Sequence, residues 1–159
     1  MHRFPNITGQ NLLSEKAWFP QRFNQRWTVV LVGFLMEHQH DIAQWIPRLE
    51  EWEERIPFFE YIEMPVMPRF DFTSRASIFL SMRWFIPEKR RRRRTYPIYT
   101  EMRDFLIATN TPSQVQARAM LVDSRGQILI NAAGSPSENI IELFERRMGT
   151  ETSEIWQRP

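Results

Sequence analysis

Two groups of residues in this sequence have types and spacing that could do chemistry. The first is Glu37-His38-Gln39-His40-Asp41, which sets two imidazoles beside two carboxylates. Such groups can ligate a divalent metal or exchange protons near neutral pH. The only other histidine is His2, so a three-histidine site would depend on the chain terminus. The same residues also suit a plain helix start, with Asp41 as its cap and the imidazoles in solvent. The second reading is preferred, so no catalytic residue, metal or cofactor is assigned.

The second group is Lys89, Arg90, Arg91, Arg92, Arg93 and Arg94, an unbroken basic run in a chain of formal net charge only +2. The remainder of the chain is therefore net negative. A block of like charge repels itself unless it meets phosphate, an acidic surface or water. Trp84, Tyr96 and Tyr99 stand close enough in sequence to stack on bases, yet they would serve a core equally well. The expectation is a solvated basic loop over 87–95 or one that meets an acidic protein partner. Nucleic acid and an anionic membrane surface are possible but not favoured.

One set of reactions is closed by composition. The chain has no cysteine, so disulfide exchange, thiolate nucleophiles, iron–sulfur clusters and cysteine zinc sites are all excluded. Thiol peroxidase activity goes with them. The opening residues lack the apolar stretch of a secretory signal, and the apolar run at 29–36 is too short to span a bilayer. The expectation is a cytoplasmic protein.

The elements that would position these groups follow from periodicity. At 159 residues, with 42% hydrophobic and 25% charged residues, one domain is expected. Residues 27–35 are almost continuously apolar and β-branched, which predicts a strand buried on both faces. Ile42, Trp45, Ile46, Leu49 and Trp52 recur at helical spacing, with Pro47 inside and Glu50, Glu51, Glu53 and Glu54 facing outward. That acidic face is either solvated or meets the arginines of a second copy. A second strand over 58–66 would run parallel to the first, because a helix-length connection separates them.

A helix over 73–86 would begin at Asp71 or Thr73 and turn Ile78, Phe79, Met82 and Phe85 inward. A short β-rich piece over 95–99 and a helix over 101–108 follow, the latter with Met102, Phe105 and Leu106 inward. Strands over 116–122 and 127–131 form a hairpin, since Gly126 supplies the positive φ of its turn. A last helix over 135–148, capped by Ser135 or Ser137, turns Ile140, Ile141, Leu143 and Phe144 inward and stops at Gly149.

Residues 1–26 read as an irregular lead-in packed on a domain of 27–149, with a turn at 6–10 and room for a short hairpin. Residues 150–159 read as a frayed tail. The tryptophans Trp18, Trp27, Trp45, Trp52, Trp84 and Trp156, with Phe19 and Phe23, exceed what one small core needs. They either cover a sheet edge or form an aromatic interface, including one between two copies.

This order of elements resembles the thioredoxin-like superfamily. One supporting stretch is Leu31-Val32-Gly33-Phe34-Leu35-Met36-Glu37-His38-Gln39-His40-Asp41-Ile42, similar to the central strand running into the active-site helix. By this resemblance Gln39 and Ile42 stand in the places of the two active-site cysteines. The other is Ala119-Met120-Leu121-Val122-Asp123-Ser124-Arg125-Gly126-Gln127-Ile128-Leu129, similar to the hairpin of the peroxiredoxin-like branch, with Gly134 leading into the last helix.

Arg118 takes the place of the usual cis-proline. The layout from Tyr99 through Ile107 to the hairpin is most similar to the mitochondrial ATP synthase assembly factors and their uncharacterised prokaryotic relatives. The resemblance implies a thioredoxin-like three-layer α/β/α sandwich around a mixed sheet of about four to five strands. It makes Glu37, His38, Gln39, His40, Asp41, Ile42 and Arg118 the candidate pocket. The function it implies is that of a redox-inactive interaction or assembly module with a protein partner or a second copy. The alternatives are a cysteine-independent enzyme or metal protein using His38, His40 and Asp41, and polyanion binding through Lys89 to Arg94.

Overall fold

A computed structural model describes residues 2–149 of the chain. The expected tail over 150–159 and Trp156 lie outside the described residues. Strand β3 (Trp27–Gly33) is the centre of the molecule. Its side chains alternate, so Val29 and Leu31 enter one core while Val30 and Val32 enter the other. A strand apolar at every position is the solution to being covered on both faces.

Helix α1 (Gln39–Arg55) leads from β3 to β4 (Phe59–Met67), which pairs with β3 in parallel. α1 runs through Pro47 as one helix. The backbone bond that Pro47 cannot make is one to Ala43, and both residues lie on the exposed side of the helix. Helix α2 (Phe72–Phe85) is capped by Asp71, whose carboxylate accepts from the Ser74 amide at 2.7 Å. Helix α3 (Lys89–Arg94), strand β5 (Ile98–Tyr99) and helix α4 (Met102–Ala108) follow.

Strands β6 (Arg118–Asp123) and β7 (Ile128–Ala133) form the antiparallel hairpin. Helix α5 (Glu138–Arg147) starts on Ser137, whose hydroxyl accepts from the Ile140 amide. The sheet order is β5-β4-β3-β6-β7, with β3 and β6 antiparallel. The Gly126 turn carries φ +81°, and any side chain there would meet Pro20 at 2.5 Å. The close approach lets the Gly126 carbonyl accept from the Phe4 amide at 2.7 Å, so a glycine is required twice over.

The two faces of the sheet are covered differently. α1 and α5 bury Ile42, Trp45, Leu49, Trp52 and Phe144 on one side. The other side is filled by Phe4, Phe19 and Phe23 from the N-terminal segment together with Phe105 of α4. That segment holds the strands β1 (Ile7–Gln10) and β2 (Lys16–Phe19), paired antiparallel.

Residues 7–10 of the expected turn are therefore strand. The turn lies beyond them, where the buried Asn11 carboxamide accepts from the amides of Leu13 and Glu15. Two apolar expectations are also corrected. Leu143 is 47% exposed on α5, and α2 buries none of its side chains, Phe85 included. Phe4, Phe19 and Phe23 of the N-terminal segment, with Phe105, fill the sheet face opposite α1 and α5, and α2 contributes no buried side chain to it.

Candidate functional site

The candidate residues lie where β3 ends. Gly33 closes the strand, and a side chain there would lie 3.0 Å from Ile42 and 3.7 Å from His38. Leu35 leads into a 3-10 turn, Met36–His38, and α1 follows at once. The structure brings His38, Gln39 and Ile42 together around this strand end. Ile42 is buried, while Glu37, Gln39 and His40 are exposed.

His38 is buried rather than solvated, which corrects the reading of both histidines as surface groups. Its Nδ1 accepts from the amides of Phe34 at 3.0 Å and Leu35 at 3.3 Å. Nδ1 must then be unprotonated, so Nε2 carries the hydrogen and donates to the Val115 carbonyl at 3.0 Å. Both ring nitrogens are thus committed to backbone. The ring ties the end of β3 to the loop before β6, and a nitrogen so engaged has no lone pair left for a metal.

His40 lies outside and, among the described residues, meets only the Gln44 carboxamide at 3.0 Å. Asp41 sits in the first turn of α1 rather than at its cap, which His38 occupies. Among the described residues no group of three His, Asp or Glu side chains is placed to hold a metal ion. Arg118 pairs in β6 with Val32 of β3. Its guanidinium donates to the Asn131 side chain at 2.8 Å and to the Asn131 carbonyl at 3.1 Å. Burial holds it below the usual arginine value, and Asn131 passes the network on to Thr109 and Thr111.

The basic run is not a loop. Its residues form α3, and the reason lies in partners drawn from distant parts of the chain. Arg91 makes a two-pronged contact with Glu63 at 2.9 and 3.0 Å, and Glu63 is itself buried on β4. Arg94 pairs with Glu53 at 3.0 Å, donates to the Tyr61 carbonyl at 3.0 Å and stands 4.0 Å over the Tyr61 ring. Arg90 reaches the same Glu53 carboxylate at 3.0 Å. Arg92 donates to the carbonyls of Ile86 and Arg83, both at 2.6 Å, and so closes the C-terminal end of α2.

One member of the acidic face of α1, Glu53, therefore meets the arginines of α3 in its own chain. Burial raises the Glu53 carboxyl, but hydrogen bonds and charge from Arg94 and Arg90 more than offset this and hold it below its usual value. Burial pushes the Tyr61 phenol up to about 12, against the opposing charge of Arg94. Tyr96 is buried in the core and cannot stack on a base.

What sequence reasoning did not find is the outer surface of α2. Phe72, Leu80, Trp84 and Phe85 are 87%, 65%, 83% and 74% exposed. No acidic residue occurs from Phe72 to Pro87, whereas Arg75 and Arg83 lie within it.

No protein-family profile matches the chain, and no curated protein matches its sequence. Solved structures do match. BsSco, a member of the Sco family of cytochrome c oxidase assembly proteins, superposes with a TM-score of 0.61 at 11% identity, covering 92% of this chain and 94% of its own. The thioredoxin domain of a thiol-disulfide oxidoreductase from Bacteroides vulgatus gives 0.58 at 12% identity, over 92% and 96%. The pneumococcal exposed lipoprotein thioredoxin of Streptococcus pneumoniae gives 0.57 at 10% identity, over 90% and 99%. The chain has the thioredoxin-like fold. It carries that fold with no cysteine, and no helix among the described residues is long and apolar enough to cross a membrane.

Proposed function

We propose that this chain is a redox-inactive thioredoxin-like domain that works by binding a protein partner, as an interaction or assembly module. The observation that carries the reading is the outer stripe of α2. Phe72, Ala76, Leu80 and Trp84 recur every fourth residue, all exposed, with Phe85 beside the last. An apolar stripe of this length on a single domain is a common mark of an interface. Its only charges are basic, and Arg83, stacked on Phe79 at 5.9 Å, is not among the arginines that form ion pairs within the described residues. The matching partner surface is an apolar helix face flanked by acidic side chains.

Two further features support a binding role over chemistry. The imidazole at the strand end is engaged as a structural tie, and the positions assigned to reactive thiols by resemblance hold Gln39 and Ile42. A neighbour of the same fold, BsSco, is described as an assembly protein. The test is site-directed photo-crosslinking in cells. A photoreactive residue at position 84 should give one discrete protein adduct, and the same residue at position 125, on the β6–β7 turn, should give none. No adduct from position 84, or turnover by purified protein that disappears in His40→Ala, would overturn the proposal.

A further inference from the structure

A groove between the N-terminal hairpin and α2 is large enough to take a small molecule. Its cavity of about 710 Å³ lies within the usual span of such sites, about 300–1,000 Å³. Trp18 of β2 and Phe72 and Leu80 of α2 give it apolar walls, and Lys16, Arg75 and Tyr99 give it polar ones. No aspartate or glutamate lines it.

Arg75 is the unusual member. The arginines of α3 are matched to carboxylates and carbonyls, as is Arg22, which pairs with Glu60. Arg75 stacks over the Tyr99 ring at 4.9 Å, and none of its guanidinium donors has an acceptor among the described residues. Its Nε and the Tyr99 hydroxyl are both buried without a hydrogen-bond partner. Donors left unmatched in a buried setting are costly, and a second uncompensated cation at the same rim adds to the cost. The hairpin brings Lys16 beside Trp18 and α2 brings Arg75 between Phe72 and Leu80, so both sides of the groove pair a cation with apolar surface, and the lining holds no counter-charge.

We infer that this groove binds an amphipathic carboxylate. The apolar chain or ring of the ligand lies along Trp18, Phe72 and Leu80. Its carboxylate meets the outward nitrogens of Arg75, whose planar fork fits two carboxylate oxygens. Lys16 adds a second positive charge at the rim. A phosphate-rich polymer would need more cations than two and no apolar wall, so the lining selects a small ligand with a single anionic head. The groove shares Phe72, Ala76 and Leu80 with the outer stripe of α2 and leaves Trp84 and Phe85 outside its lining, so the ligand is tested at Arg75 and Lys16 and the protein partner at position 84.

The experiment is calorimetric titration of the whole chain with octanoate and, as a neutral-head control of equal chain length, 1-octanol. Octanoate should bind at one saturable site, and octanol at least about tenfold more weakly. Arg75→Gln should lose at least about tenfold in octanoate affinity, and Lys16→Gln a smaller factor, with neither variant melting below the parent chain. Leu80→Ser should weaken octanoate and octanol alike. Equal binding of the two probes, undiminished binding by Arg75→Gln, or no saturation below about 10 mM would overturn the inference. Capture by phosphatidylglycerol vesicles without octanoate binding would overturn it too, and would make the groove a membrane-facing surface.

Discussion

At the scale of single residues, His38 shows how a side chain suited to catalysis can be spent on architecture. Its ring accepts two backbone amides and donates to a carbonyl across the domain. Truncating it leaves the Phe34 amide buried without an acceptor and frees the loop at Val115. His38→Ala is expected to cost about 2–3 kcal/mol of stability, the penalty for stranding buried polar groups. His40→Ala, on an exposed ring with one side-chain neighbour, should change stability by less than about 0.5 kcal/mol. Urea denaturation of both variants checks this, and equal midpoints would show that His38 is not the tie described above.

At the scale of elements, α3 owes its existence to charges that lie elsewhere. The Arg91–Glu63 pair has a carboxylate side chain only 4% exposed, so Arg91→Ala leaves a buried charge alone and should cost about 3–5 kcal/mol. Arg90→Ala removes a contact from an arginine that is 66% exposed, and should cost no more than about 1 kcal/mol. Thermal melts of the two variants separate the cases, and a similar loss in both would mean the run is held as a block.

This dependence explains what the sequence could and could not disclose. β3, α1 and the β6–β7 hairpin were legible because each signal is local: a run of apolar residues, a three- and four-residue period, a glycine in a turn. The helix of the basic run was not, because Glu63 and Glu53 lie 28 and 41 residues from the arginines they meet. His38 was half legible. Its amide partners are three and four residues away, but Val115 is 77. The face of α2 was misread for another reason: Ile78, Phe79, Met82 and Phe85 share helical spacing, but so do Phe72, Ala76, Leu80 and Trp84. A helix apolar on more than one side has no periodicity to say which side is covered.

At the scale of the whole molecule, the domain has two cores, and the residues before Trp27 complete one of them. Phe4, Phe19 and Phe23 are each no more than 2% exposed. Removing one such ring costs about 3–5 kcal/mol, so three together match the entire stability of a typical domain, about 5–15 kcal/mol. A chain beginning at Trp27 should therefore fail to unfold cooperatively in calorimetry. A sharp transition would show the N-terminal hairpin to be an ornament on a self-sufficient domain.

The Arg91–Glu63 contact also constrains how this sequence can drift. Losing Arg91 first leaves the Glu63 charge alone in the interior, whereas losing Glu63 first leaves Arg91, 35% exposed, within reach of solvent. Descendants that keep this fold are therefore expected to give up Glu63 before Arg91 or along with it, while Arg90 next door is free to wander one substitution at a time.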